Sequence, residues 1–176
     1  MKVGLFLGSF NPIHIGHIAI ANYMAEFTDL EQVWLVVSPH NPLKEKKSFT
    51  DAKKRFASVK KAITGNSKIK ISNVEFSLPQ PSYTINTLFF LKDKYPNNKF
   101  ALIIGSDNLT LFHKWKEYKK ILNNFKIYVY PRSGSDVRKL KNHRNVKIVD
   151  APLLDVSSTF IREQMKKGKD VKKFLV

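Results

Sequence analysis

The sequence predicts an α/β fold: a doubly wound parallel sheet with helices on both faces, in one domain spanning residues 1–176. Two observations carry that prediction. Short runs of Val, Ile, Leu and Phe alternate with longer amphipathic stretches along the chain, as strands do when crossover helices connect them. At 176 residues and 43% hydrophobic content the chain is long enough to bury a sizeable core and short enough for one domain. No internal repeat, low-complexity tract or linker interrupts the pattern.

Val3 to Leu7 is the first strand. Ile18 to Phe27 reads as a helix, apolar almost all round, which predicts deep burial. Val33 to Val37 is a second, fully apolar strand, followed by a polar loop from Ser38 to Ser48 marked by Pro39 and Pro42. Thr50 is placed to cap a helix whose apolar face is Ala52, Phe56, Val59 and Ile63. Lys53, Lys54, Arg55, Lys60 and Lys61 fall to its solvent face, and Gly65-Asn66 ends it. Ile69 to Phe76 alternates as a strand, and Pro79 and Pro81 break the pattern. Ile85, Leu88 and Phe89 mark another helix, closed by Pro96-Asn97-Asn98. Phe100 to Ile104 is a strand ending at Gly105, and Ile127–Tyr130 and Val146–Val149 are further strands. Ser157 to Lys167 is the last helix, stopped at Gly168.

Composition narrows the chemistry. There is no cysteine, which excludes disulfides and thiolate metal sites and fits a reducing compartment. Leu5-Phe6-Leu7 is too short for a signal-peptide core and no apolar run approaches membrane-spanning length, so a cytoplasmic location is expected. Lys and Arg number 31 against 14 Asp and Glu, a net charge of +17. Such a balance attracts polyanions: nucleic acid, an acidic membrane, or a nucleotide with its pyrophosphate. No run of five basic residues forms a nucleic-acid tail, and the scattered lysines read as solvated faces.

In open parallel sheets, ligands bind beyond the carboxyl ends of the strands where the strand order reverses. That rule selects Gly8–His17, Ser38–Lys44, Gly105–Trp115 and the start of the last helix at Ser157. In the first of these, Gly8 permits a tight turn and close approach by a ligand. Ser9 and Asn11 offer side-chain hydrogen bonds, and Pro12 keeps Asn11 extended. A helix starting near Gly16 presents free N–H groups suited to a phosphate. His14 and His17 lie three apart, on one helical face, where two imidazole donors can grip a phosphate. Each element has a plain alternative: a glycine turn is common, and a histidine is often structural. A zinc site lacks a third ligand nearby. Neither the Walker loop nor the Gly-x-Gly-x-x-Gly fingerprint is present.

The segment GSFNPIHIGH, Gly8 to His17, resembles the signature of the HIGH-type nucleotidyltransferases, and VSSTFIR, Val156 to Arg162, resembles that family's C-terminal motif. The resemblance implies a Rossmann-like sheet of nucleotidyltransferase type. It also implies that His14 and His17 contact the triphosphate of ATP and stabilise the transition state. Gly8, Ser9, Phe10 and Asn11 would line the ATP site. Ser157, Ser158 and Thr159 would cap the last helix and reach phosphate oxygens, with Arg162 adding charge. PSYTINTL (Pro81 to Leu88) and IIGSDNLTLFHKW (Ile103 to Trp115) resemble segments of the bacterial nicotinate-nucleotide adenylyltransferases, and the likeness runs from Met1 to about Lys167.

That family transfers AMP from ATP to nicotinate mononucleotide in NAD biosynthesis, giving nicotinate adenine dinucleotide (deamido-NAD) and pyrophosphate, with Mg²⁺ held by substrate oxygens rather than by protein ligands. The residues agree with such an acceptor. Trp115 can stack on an electron-poor pyridine ring, or serve as a half-buried packing residue. A helix N-terminus at Tyr83-Thr84 supplies N–H groups for the ring carboxylate. Asp107 suits ribose hydroxyls, metal-bound phosphates or an ordinary helix cap, and Lys44 and Arg132 suit phosphates or bulk solvent. The chain departs from the family pattern at Leu7 and Asn11, where glycine and aspartate are usual, at Leu43, where a histidine is usual, and in its short tail. The remaining alternatives are a different acceptor (nicotinamide mononucleotide or phosphopantetheine), a basic nucleic-acid-binding protein, and a nucleotide sensor without turnover.

Overall fold

The structure, a computed structural model, describes residues 1–42, 51–135, 140–153 and 156–176. Its strands are β1 (Lys2–Gly8), β2 (Gln32–Val37), β3 (Ile69–Ser72), β4 (Lys99–Gly105), β5 (Lys126–Tyr130) and β6 (Val146–Ile148). The helices are α1 (Ile15–Phe27), α2 (Ala52–Ala62), α3 (Thr84–Lys94), α4 (Ser106–Thr110), α5 (Tyr118–Asn124) and α6 (Ser158–Lys166). The sheet order is β3-β2-β1-β4-β5-β6, and every pair is parallel. The chain therefore winds outward in one direction from β1 and in the other from β4. The gap between their carboxyl ends, at Gly8 and Gly105, is the topological switch point.

Alternation along the strands divides the core into two. Phe6, Leu35, Val37, Ile103 and Tyr128 pack under α1 and α2. Val3, Leu5, Val36, Leu102 and Ile127 pack under α3, α4 and α5. Both sheet faces are thus buried, which is why the strands read as continuous apolar runs. Among the described residues no helix is long and apolar enough to cross a membrane.

Four details differ from the sequence reading. Helix α1 buries Gly16, Ile20, Ala21, Met24 and Ala25, while Phe27 is 74% exposed. An apolar surround did not mean burial all round, because one layer of sheet covers only one helical face. The strand expected to reach Phe76 stops at Ser72, whose Oγ accepts from Val74 N and diverts the backbone into a 3₁₀ turn over Val74–Phe76. Helix α2 is capped by Asp51, whose carboxylate accepts from Lys53 N and Lys54 N; Thr50 lies outside the described residues. Helices α4 and α5 follow β4 in a stretch to which the sequence reading assigns no element.

A fifth difference matters most for the site. Arg55, assigned by sequence to the solvent face of α2, is buried at 3% exposure. Its guanidinium donates to the carbonyls of Ser9, Ser38 and Pro39. One rigid fork therefore satisfies three carbonyls where β1 and β2 end, and it fixes the two loops relative to each other.

Candidate active site

The first loop turns under its own aromatic ring. Gly8 ends β1, and Phe10 takes a left-handed backbone with φ of 46°. Its ring folds back over Gly8, where a Cβ would lie 3.0 Å from it. The glycine is thus required by Phe10 itself. Phe10 is 3% exposed and meets His17 edge-on at 5.0 Å. Its side chain is a floor under the histidine, and only its backbone is placed to meet a ligand. Ser9 is also buried, with no partner for Oγ among the described residues.

His14 is the N-cap of α1 in extended conformation, and His17 lies in the first turn. The two rings stack at 3.6 Å with an interplanar angle of 28°. His14 N donates to His17 Nδ1 at 3.3 Å. With Nδ1 as acceptor, the neutral His17 ring carries its proton on Nε2. His14 is 2% exposed, and neither ring nitrogen has a partner among the described residues. Burial, and then the Arg132 guanidinium, push its pKa down to about 4. A neutral, desolvated imidazole with unspent hydrogen-bonding capacity is poised for an anion, whose charge would offset the burial.

The C-terminal motif closes this loop from across the chain. Ser158 Oγ donates to Pro12 O at 3.0 Å, and Arg162 Nη1 donates to Asn11 O at 2.6 Å. Arg162 Nη2 donates to Thr159 Oγ1 at 3.1 Å, and Ser157 Oγ caps α6 by accepting from Phe160 N. Ser157 caps α6, as the resemblance implies, while Ser158 and Arg162 are spent on the carbonyls of the first loop and brace it.

Arg132 follows β5, and the structure moves it from the acceptor group to the histidine side. Its Nη1 donates to Val156 O at 3.3 Å, and it lines a small cavity with His14, Gly16, His17, Tyr130 and Val156. The reason is the parallel register, which brings the end of β5 beside Gly105 and aims the next residues across the switch point. A Cβ on Gly105 would displace the Asp107 carboxylate and press closely on Arg132 and Tyr130. Asp107 itself is exposed in the first turn of α4.

A second and larger cavity, about 130 Å³, opens on the other side of Phe6 and Tyr130, which line both. Tyr83, Thr84 and Trp115 line it together. Trp115 is half-buried against Phe112 at 5.2 Å, and its indole N–H has no partner among the described residues. Tyr83 is the N-cap of α3, so the first amides of that helix open here without intrahelical acceptors. Lys116 sits over the Tyr83 ring at 4.4 Å and, with Lys114, adds positive charge. The Lys-Trp-Lys sequence carried that signal. Lys44 and Leu43 lie outside the described residues, but Asn41 and Pro42 of their loop reach the cavity wall. Sequence reasoning missed Arg55 and Glu75. Glu75 is wholly buried, lines this cavity, and accepts from Thr87 Oγ1 at 2.6 Å.

Comparison with known proteins fits this arrangement. The profile of the Cytidylyltransferase-like family matches residues 5–164. A Flavobacterium johnsoniae protein named probable nicotinate-nucleotide adenylyltransferase is 52% identical, over 99% of this chain and 92% of its own length. A Bacteroides fragilis protein of the same name is 49% identical, over 99% and 87%. The solved Plasmodium falciparum nicotinic acid mononucleotide adenylyltransferase in complex with NaAD superposes with a TM-score of 0.85 at 22% identity, over 99% of this chain and 90% of that one. It establishes the shared fold.

Proposed function

The chain belongs to the cytidylyltransferase-like family, and from that premise we infer that it transfers AMP from ATP to nicotinate mononucleotide. The products are nicotinate adenine dinucleotide and pyrophosphate, a step of NAD biosynthesis. The observation that carries the reading is the docking of Ser158 and Arg162 onto the first loop, which sets the stacked histidines in one crevice beside the Trp115 cavity.

The reaction is a displacement at the α-phosphorus. A phosphate oxygen of the acceptor forms the new P–O bond while the bond to the bridging oxygen breaks, and pyrophosphate leaves with that electron pair. The attacking oxygen is already anionic, so no general base is needed, and catalysis reduces to alignment and charge stabilisation. The amides at the start of α1 and the His17 Nε2–H meet the triphosphate. His14 enters neutral and gains a proton-binding advantage as negative charge arrives beside it. Arg132 adds charge from the side of Val156. Gly8, Ser9 and Asn11 shape the nucleotide side of the loop, with Ser157 and Thr159 across from them. On the acceptor side Trp115 stacks on the pyridine ring, the amides at Tyr83-Thr84 take its carboxylate, and Asp107 serves the ribose; Lys44, outside the described residues, is assigned to the phosphate from the sequence alone.

Mg²⁺ enters as part of the MgATP substrate and neutralises the triphosphate. Among the described residues there is no cluster of three His, Cys, Asp or Glu. The partners are these small molecules rather than nucleic acid or membrane, the place is the cytoplasm, and residues 1–176 act as one domain.

Pyrophosphate release, measured with each acceptor in turn, tests the reading. Nicotinate mononucleotide should support turnover and phosphopantetheine none. Faster turnover with nicotinamide mononucleotide would reassign the ring, and no release with any acceptor would leave only a nucleotide sensor.

A further inference from the structure

The acceptor cavity contains one carboxyl group for which the transfer reaction has no use. Glu75 sits in the 3₁₀ turn after β3 and is wholly buried. Oε1 takes the Thr87 hydroxyl, while Oε2 has no hydrogen-bond partner among the described residues. Its own backbone carbonyl accepts from Gln80 Nε2 at 2.8 Å, and Gln80 Oε1 accepts from Ser82 Oγ at 2.9 Å. Ser82 N then donates to His40 O at 2.9 Å. Glu75 is therefore tied to α3 on one side and to the segment leading into Tyr83-Thr84 on the other. A carboxylate here would line the same cavity as an acceptor ring that itself carries a carboxylate. Like charges sharing one site repel, the more so because Glu75 is itself out of water.

We propose that Glu75 is a positioning and specificity residue of the acceptor cavity. As the neutral acid it admits an anionic pyridine carboxylate, and as the ionised form it rejects that ring while leaving a neutral carboxamide ring unaffected. The proposal rests on the acceptor reading above. Burial pushes the Glu75 carboxyl above its ordinary range, and the Thr87 hydroxyl pulls it part of the way back. The titratable groups that share the cavity are Lys114, Lys116, Tyr83 and Tyr130. Arg55 reaches the Ser38 and Pro39 carbonyls, and His40 presents its backbone oxygen to Ser82. Helix α3 faces Glu75 with Thr87, and its Lys92 and Lys94 lie in the last turn. The sign follows: Glu75 is neutral below its raised pKa and ionises as pH rises through it, so selectivity for the carboxylate ring is lost on the alkaline side.

The experiment measures kcat and KM for nicotinate and nicotinamide mononucleotides from about pH 5, just above the ordinary carboxyl range, to about pH 9.5. Titration of the phosphates is common to both acceptors and cancels in the ratio. In the wild type, preference for the carboxylate ring should fall at least about tenfold across that range, through KM rather than kcat. Glu75→Gln keeps the shape without the charge and should hold the preference constant. Thr87→Val removes a donor that favours the ionised form, and so should move the decline to higher pH. A Glu75→Gln enzyme with the wild-type pH profile overturns the proposal. Should that variant fail to fold, a Thr87→Val profile that does not move overturns it equally. A wild type inactive with nicotinate mononucleotide would instead refute the acceptor assignment.

Discussion

The two halves of the crevice are built differently. The histidine half comes from two short motifs at opposite ends of the chain, joined by a few hydrogen bonds: Ser158 to Pro12, Arg162 to Asn11, Arg132 to Val156. The acceptor half is assembled from scattered pieces: the end of β1, the loop after β2, the turn after β3, the start of α3, and the segment after β4. Phosphate has a fixed, symmetric shape and charge, so backbone amides and imidazoles on one local turn suffice to hold it. A substituted ring with a ribose needs a floor, a wall and a carboxylate site, which only tertiary packing brings together.

If that contrast is right, substitutions in the two halves should separate in kinetics. The largest effect belongs to His17→Ala. The fold should persist, because His17 is half-buried and its Nδ1 takes a long hydrogen bond, 3.3 Å, from His14 N. kcat should fall by at least about 10²-fold, the usual cost of losing one donor to a developing oxyanion, roughly 3–4 kcal/mol. KM for the acceptor should stay near the wild-type value. A steady-state assay with both substrates varied checks this, and a loss confined to acceptor KM would erase the distinction between the halves.

Arg55 comes next, because it belongs to both. Arg55→Met would leave the carbonyls of Ser9, Ser38 and Pro39 buried without a donor. Each orphaned group costs roughly 1–3 kcal/mol, so denaturant unfolding should show a loss of about 3 kcal/mol or more. Arg55→Lys should recover only part, since an ammonium lacks the planar fork. Full stability in Arg55→Met would show that the two loops are held independently.

The same division explains what the sequence made legible. The sheet was readable because both of its faces are buried, and the phosphate loop because its chemistry is local. The register between β4 and β5 was not, and it is the register that carries Arg132 to His14 rather than to the ring cavity. Arg55 had a signal that charge concealed: it stands three positions after Ala52 and four before Val59, on the stripe those two share. A cation on an apolar stripe needs partners, and here these are carbonyls that no side-chain pattern reveals. Glu75 sat inside a run that alternates like a strand, and only the turn at Ser72 brings it under Thr87.

Trp115 offers the smallest effect and the finest separation. Its ring rests on Phe112 and lines the acceptor cavity, so it serves packing and binding at once. An aromatic pair is worth roughly 0.5–1.5 kcal/mol beyond the area it buries. Trp115→Ala should therefore raise KM for nicotinate mononucleotide about three- to tenfold, with kcat at saturation almost unchanged. Trp115→Phe retains a flat face and should lose about half of that, because the indole N–H, which has no protein partner among the described residues, goes with the larger ring. The alternative role in packing makes a distinct forecast: Trp115→Ala would lower the melting temperature and leave acceptor KM alone. The two measurements on one variant thus decide whether the ring that looks into the cavity is recognising the acceptor or merely roofing Phe112.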